Sequence, residues 1–199
     1  MFISCFLPKL YFDWIAAYFY TAKCVNTPNF SYTFYTAYST LLSSGFGILG
    51  IILFRKIQHH ELRSIFIGLS MVQCAMATLE LAQAARLNVR MGISDEVFYI
   101  LGESVLSPIV SMMFFMPMFI LTSRLVERGS EALTYAILAG SQNLGGMVAT
   151  SIGNYFIHRY HIEGCNFSAL PTALLVGHVV LPLAIVPLSY IMIPKVHLD

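Results

Sequence analysis

The chain has 199 residues, of which 57% are hydrophobic and only 11% are Asp, Glu, Lys or Arg, with mean hydropathy +0.73 and formal net charge +1. A soluble domain carries about 25% charged residues, so this composition excludes a water-soluble enzyme, a nucleic-acid binder and a disordered tail. At about 20 residues per membrane-spanning helix, the length has room for six spans and excludes a twelve-helix carrier within this one polypeptide.

The first apolar run, 2–20, contains Lys9 and Asp13 and lacks the basic start of a signal peptide. The second is 34–54, closed by Arg55 and Lys56. The third is 64–84, and the segment after it ends in Ser94 followed by two acids, a helix-start signal. The fourth, 97–122, contains Pro108 and Pro117; the fifth is 132–156; the sixth, 170–193, contains Pro182 and Pro187. A lipid-embedded backbone must satisfy its own hydrogen bonds, and continuous apolar runs meet that demand as helices. The reading is an all-α integral membrane protein, a single domain over 1–199 with six transmembrane helices.

Loop basicity orients it. With six spans, Arg55, Lys56, Arg63, Arg124, Arg128 and Lys195 share one side, against Lys23, Arg86, Arg90 and Arg159 on the other. The first side is assigned as cytoplasmic. The Asn-x-Ser sequons at Asn29 and Asn166 fall on the opposite side, as do Cys24 and Cys165, either disulfide-bonded or as free thiols.

Ionisable groups inside apolar spans are costly and mark pathways or partners. Asp13, Glu80 and Glu103 are such groups; Lys9 and Asp13, four apart, share a helix face and could neutralise each other. Glu103, Ser107 and Ser111 form a stripe at helical spacing, and Tyr135, Ala139, Asn143, Gly146, Thr150 and Asn154 form a longer one. Small residues at Ser43-x-x-x-Gly47 and Gly145-x-x-x-Ala149-x-x-x-Gly153 read as close-packing seams. No hydrolase, protease or nucleotide-binding motif is present, so no catalytic residue, cofactor or metal site is assigned.

Two ordered segments carry a family resemblance: GISDEVFYILGESVL (Gly92–Leu106) and LVERGSEALTYAILAGSQNLGG (Leu125–Gly146). They resemble the folate–biopterin transporter family of the major facilitator superfamily, in which a GISD-type segment leads into an acid-Ser pair, here Glu103-Ser104. A Gly-x-Glu-Ala turn and Ser-x-Asn-x-Gly-Gly follow, here Gly129–Ala132 and Ser141–Gly146, with Leu133 where the family has threonine. Pro8 and Asp13 look like the family's seventh-helix proline and acid.

The resemblance implies that the six spans correspond to helices 7–12, the C-terminal half of a major facilitator fold. It implies transport of folate- or pterin-like small solutes, with proton coupling as a candidate drive, through a pathway lined by Asp13, Glu103, Ser107, Tyr135 and Asn143. Arg128 and Glu131 would serve at a gate or pack the loop. The half would act with a missing N-terminal half or a homodimer partner, as a fragment of a longer carrier or a shortened relative. The alternatives are a transport-inactive regulatory half and a carrier of another small solute.

Overall fold

The computed structural model describes residues 10–126 and 129–192. All regular structure among them is helical. The elements are α1 (Asp13–Thr21), a π-helical turn π1 (Phe34–Tyr38) running into α2 (Ser39–Ile57), α3 (Leu62–Ala84) and the short α4 (Leu87–Arg90). A continuous rod then comprises α5 (Asp95–Tyr99), π2 (Ile100–Leu106) and α6 (Ser107–Leu125). The long α7 (Glu131–Arg159) follows, and a last rod is built of α8 (Leu170–Leu174), π3 (Leu175–Val180) and α9 (Leu181–Met192). Three stretches, Phe34–Ile57, Leu62–Ala84 and Asp95–Pro117, are long and apolar enough to cross a membrane.

Lipid explains the outside of the bundle. Leu41 is 73% exposed and Met147 69%, and at most 28% of any membrane-length window is buried. Water would penalise that surface by about 25 cal/mol per Å², whereas hydrocarbon imposes no such penalty. What holds the helices together is close packing. An added Cβ at Gly50 would collide with the Ile109 carbonyl oxygen, and one at Gly47 would touch Met112, so α2 and α6 pack closely along this seam.

Two apolar clusters close the bundle at its ends. One gathers Phe54, Leu62, Ile65, Phe66 and Leu69 with Phe114, around the turn between α2 and α3. There Arg63 also lies 4.7 Å from the Tyr190 ring centroid, an attraction between cation and π face. The other is aromatic: Tyr20 packs edge-on to Tyr99 at 4.8 Å and stacks on Phe30 at 5.7 Å, with Phe19 against Phe167 at 5.2 Å. At this end Cys24 and Cys165 are joined in a disulfide that links the loop after α1 to the loop before α8. Of the two sequence alternatives for these thiols, the structure adopts the bridge.

The segment Leu10–Phe12 enters between α7 and π3, and two glycines make room for it. A Cβ at Gly153 would collide with the Tyr11 carbonyl oxygen, and one at Gly177 would come within 2.8 Å of the Phe12 ring. The backbone N–H of Leu10 donates to the Gly177 carbonyl oxygen at 3.2 Å. Gly145, Ala149 and Gly153 of the expected seam are all buried, and the Trp14 indole N–H donates to Asn154 Oδ1 at 2.9 Å. The polar residue Asn154 therefore anchors α1 to α7.

Gly153→Ala should lower stability by about 1–3 kcal/mol, the cost of overpacking against backbone that cannot yield. Gly146→Ala, where an added Cβ meets nothing within 4 Å, should be neutral or slightly stabilising, since Gly in a helix interior costs about 1 kcal/mol relative to Ala. Thermal unfolding of the two variants in detergent compares them directly.

Candidate functional site: a carboxylate and histidine cluster inside the helix bundle

The three π-helical turns converge on one region. A π turn carries surplus residue per turn and breaks the ordinary helix register, and such turns recur at functional sites. Here π1 supplies Tyr35, π2 supplies Glu103 and π3 supplies His178. A glycine directly precedes each of the two ionisable residues, Gly102 and Gly177. Glu103 and His178 each lie eight residues into their rods, about 12 Å along the helix axis.

Two adjoining cavities share these side chains. One, of about 170 Å³, is lined by Tyr20, Tyr35, Tyr99, Glu80, Glu103 and His178 together with the entry segment. The other, of about 50 Å³, shares Glu80, Glu103 and His178 and adds Gln73, Ser107 and Ser111. One water needs about 10–15 Å³ of such volume and two to four polar partners, so both cavities have the size and chemistry to be wet. Among the described residues, neither is lined by Lys or Arg. Among the described residues no group of three His, Cys, Asp or Glu side chains could hold a metal ion.

His178 is 6% exposed and touches two acceptors. Its Nδ1 lies 2.6 Å from Glu80 Oε2, and its Nε2 lies 2.8 Å from the Leu10 carbonyl oxygen. The Phe12 ring covers it at 5.4 Å. The imidazole thereby joins α3, the last rod and the entry segment of α1 at one point.

Polar contacts fix the helix ends that present the two acids. Asp95 accepts hydrogen bonds from Arg86 Nη1 and from Asn88 Nδ2, both at 2.7 Å. Gln83 Nε2 donates to the Asp95 carbonyl oxygen at 3.2 Å, and Tyr20 Oη donates to Gln83 Oε1 at 3.4 Å. Arg86 adopts φ +59, the left-handed region, where it ends α3; its ion pair with Asp95 offsets that strain. Ser104 is fully buried and donates to Ser39 Oγ at 3.2 Å, tying π2 to α2.

Of the residues expected along the pathway, Glu103 and Ser107 line the cavities. Tyr135 and Asn143 are exposed on α7, away from that cluster. Asp13 opens α1. Glu131 accepts the Gly129 backbone N–H at 2.9 Å; this contact and its own backbone amide hold its carboxyl below the usual value. Arg128 lies outside the described residues, as do Pro8 and Lys9. Sequence reasoning weighed the acids in the spans but passed over His178, although a titratable ring within an apolar run meets the same criterion.

Residues 9–199 match the BT1 family, and the chain belongs to it. It is 27% identical over 140 residues to "Probable folate-biopterin transporter 2" of Arabidopsis thaliana, covering 70% of this chain and 27% of that protein. It is 28% identical over 131 residues to "Folate-biopterin transporter" of Synechocystis, covering 65% and 26%. It is 25% identical over 154 residues to "Folate transporter 2" of Plasmodium falciparum, covering 77% and 32%. The chain thus spans about a quarter to a third of the length of these relatives. No solved structure matches it significantly. Family and helices together make it an integral, multi-pass membrane protein and not an enzyme.

Asp95→Ala removes the partner of Arg86 and one acceptor of the fully buried Asn88. The expected loss is about 2–4 kcal/mol, because partly buried polar groups are left unpaired. Thermal unfolding checks this, and Arg86→Gly, which relieves the left-handed strain while removing the same ion pair, should cost clearly less.

Proposed function

We propose that this chain forms one lobe of a secondary carrier for folate- or pterin-like organic solutes, with the architecture of helices 7–12 of a major facilitator. The supporting observation is the convergence of Glu80, Glu103 and His178 on cavities large enough to hold water inside an apolar bundle of the BT1 family. The curated relatives carry folate or biopterin in their names. In such folds two six-helix lobes enclose a site near the midplane and rock against each other. On this reading, helices 34–57, 62–84, 95–125, 131–159 and 170–192 cross the bilayer, and the nine-residue α1 is part of a sixth crossing. Tyr135 and Asn143 on the exposed face of α7 then look toward the second lobe, supplied by further helices or by a second copy, and Glu103 carries the coupling proton.

The disulfide supports the orientation. Such bonds persist in oxidising compartments, and Cys24–Cys165 lies on the side bearing both sequons and fewer basic residues. Loops 22–33, 85–94 and 160–169 therefore face away from the cytosol.

A second reading is a transport-inactive half that binds and regulates another carrier. It is favoured by the exposed polar face of α7. Reconstitution separates the readings. Protein reconstituted in liposomes with its second lobe in place, as a homodimer or joined to the remaining helices, should accumulate labelled folate or biopterin under an inward proton gradient. Glu103→Gln in that context should cut the initial rate at least about a hundredfold, the scale of a lost proton-transfer group, with unfolding temperature unchanged. Normal pH-driven uptake in that variant would remove Glu103 from the coupling role. Wild-type protein that is folded yet moves neither solute supports the regulatory reading, or another substrate if counterflow of a different organic anion is found.

Orientation has its own test. In intact cells, a membrane-impermeant reductant followed by a thiol-reactive polyethylene glycol should shift the mass of the protein by two labels at Cys24 and Cys165. No label without permeabilisation would reverse the assigned orientation.

A further inference from the structure

The contacts of His178 fix a proton inventory. The Leu10 carbonyl oxygen can only accept, so Nε2 carries a hydrogen. The 2.6 Å contact between Nδ1 and Glu80 Oε2 then needs a second hydrogen. It sits either on the ring, giving imidazolium beside carboxylate, or on the carboxyl, giving neutral imidazole beside carboxylic acid. In both forms the pair holds one proton more than a neutral imidazole beside a carboxylate.

We infer that Glu80 and His178 form a one-proton site whose loaded form clamps the entry segment Leu10–Phe12 of α1 to the last rod, and whose proton loss opens that clamp. When the proton leaves, the neutral ring keeps a single N–H and must choose between its two acceptors. Hydrogen bonds to an ionised carboxylate are roughly twice as strong as those to a neutral carbonyl. The hydrogen therefore settles on Nδ1, and the Nε2 lone pair then faces the lone pairs of the Leu10 oxygen. What remains to hold the segment is the 3.2 Å bond from Leu10 N–H to Gly177, the seating of Tyr11 against Gly153 and the packing of Phe12 at Gly177. The cavity beside the pair offers water a path to it.

Among the described residues, the titratable groups that line this cavity beside the pair are Tyr11 from the entry segment, Tyr20 from α1, Tyr35 from π1, Tyr99 from α5 and Glu103 from π2. Among the described residues no Lys or Arg lines the site. Glu103 is the additional carboxyl among the described residues there, so its charge acts on whichever form Glu80 and His178 adopt. As the device that couples proton binding to movement of α1, the inference rests on the transport reading; as a proton site with a mechanical output, it stands apart from it.

Hydrogen exchange of amides 10–16 reads the clamp in the intact purified chain. After correction for intrinsic exchange, protection in the wild type should fall roughly tenfold between pH 5 and pH 9. In Glu80→Gln the amide can donate to Nδ1 of the neutral ring or accept from Nδ1 of the protonated ring, so Nε2 keeps its hydrogen in both forms and protection should stay at the loaded level throughout. In Glu103→Gln the fall should persist, shifted along the pH axis. Nitrogen NMR of histidine-labelled protein, with the His178 signal identified by its change in Glu80→Gln, should show a protonated Nε2 at the acid end that loses its hydrogen at the alkaline end. Wild-type protection that does not change with pH, Glu80→Gln tracking the wild type, or a bare Nε2 at the acid end would each overturn the inference. Solute counterflow in liposomes of the same protein separates the two readings. A clamp that opens without transport sinks only the carrier reading, and transport with a pH-insensitive clamp sinks only this one.

Discussion

The architecture depends on one constraint: ionisable groups within an apolar bundle must be given partners, water or both. An unpaired charge in hydrocarbon costs several kcal/mol, more than the packing of a few small residues returns. Glu80 and His178 meet the demand by pairing, with the Leu10 carbonyl oxygen as the third member. Glu103 meets it beside two cavities with polar linings. Because the cluster joins α3, the last rod and the entry to α1, the requirement to satisfy a few polar atoms also sets how these helices meet.

The rest of the fold divides its work around that centre. Aromatic packing and the disulfide secure one end, and the cluster around Phe54 and Phe66 secures the other. Between them the helices touch through glycines: Gly50 on Ile109, Gly153 on Tyr11 and Gly177 on Phe12. Glycines suit such crossings because a methyl group at Gly50 or Gly153 would strike backbone, which cannot rotate aside, and one at Gly177 would strike the Phe12 ring. Around the cavities the π turns replace tight packing with a wider backbone, leaving room for side chains and water in the middle of an otherwise close-packed bundle.

Much of this was legible in the sequence. Apolar runs mark the helices because hydropathy is a property of composition, and Arg55-Lys56 marks the end of α2 for the same reason. The seam through Gly145, Ala149 and Gly153 follows from spacing alone. Glu103, Ser107 and Ser111 share a face by simple helical geometry, and they do line one cavity. Other features were hidden. A π turn leaves no periodic signature, so neither the widening at Ile100–Leu106 nor that at Leu175–Val180 could be read. His178 gained its meaning from Leu10 and Glu80, 168 and 98 residues away, and such distant pairings are invisible to local pattern. Asp95 looked like a first-turn acid and proved to be the hub that joins Arg86, Asn88 and Gln83.

The bridge between Cys24 and Cys165 spans 141 residues of sequence. Everything from α2 to α7 is therefore enclosed in a covalent ring. A protease that severed a single peptide bond anywhere in that ring would leave one molecule rather than two, its halves parting on a gel only after reduction.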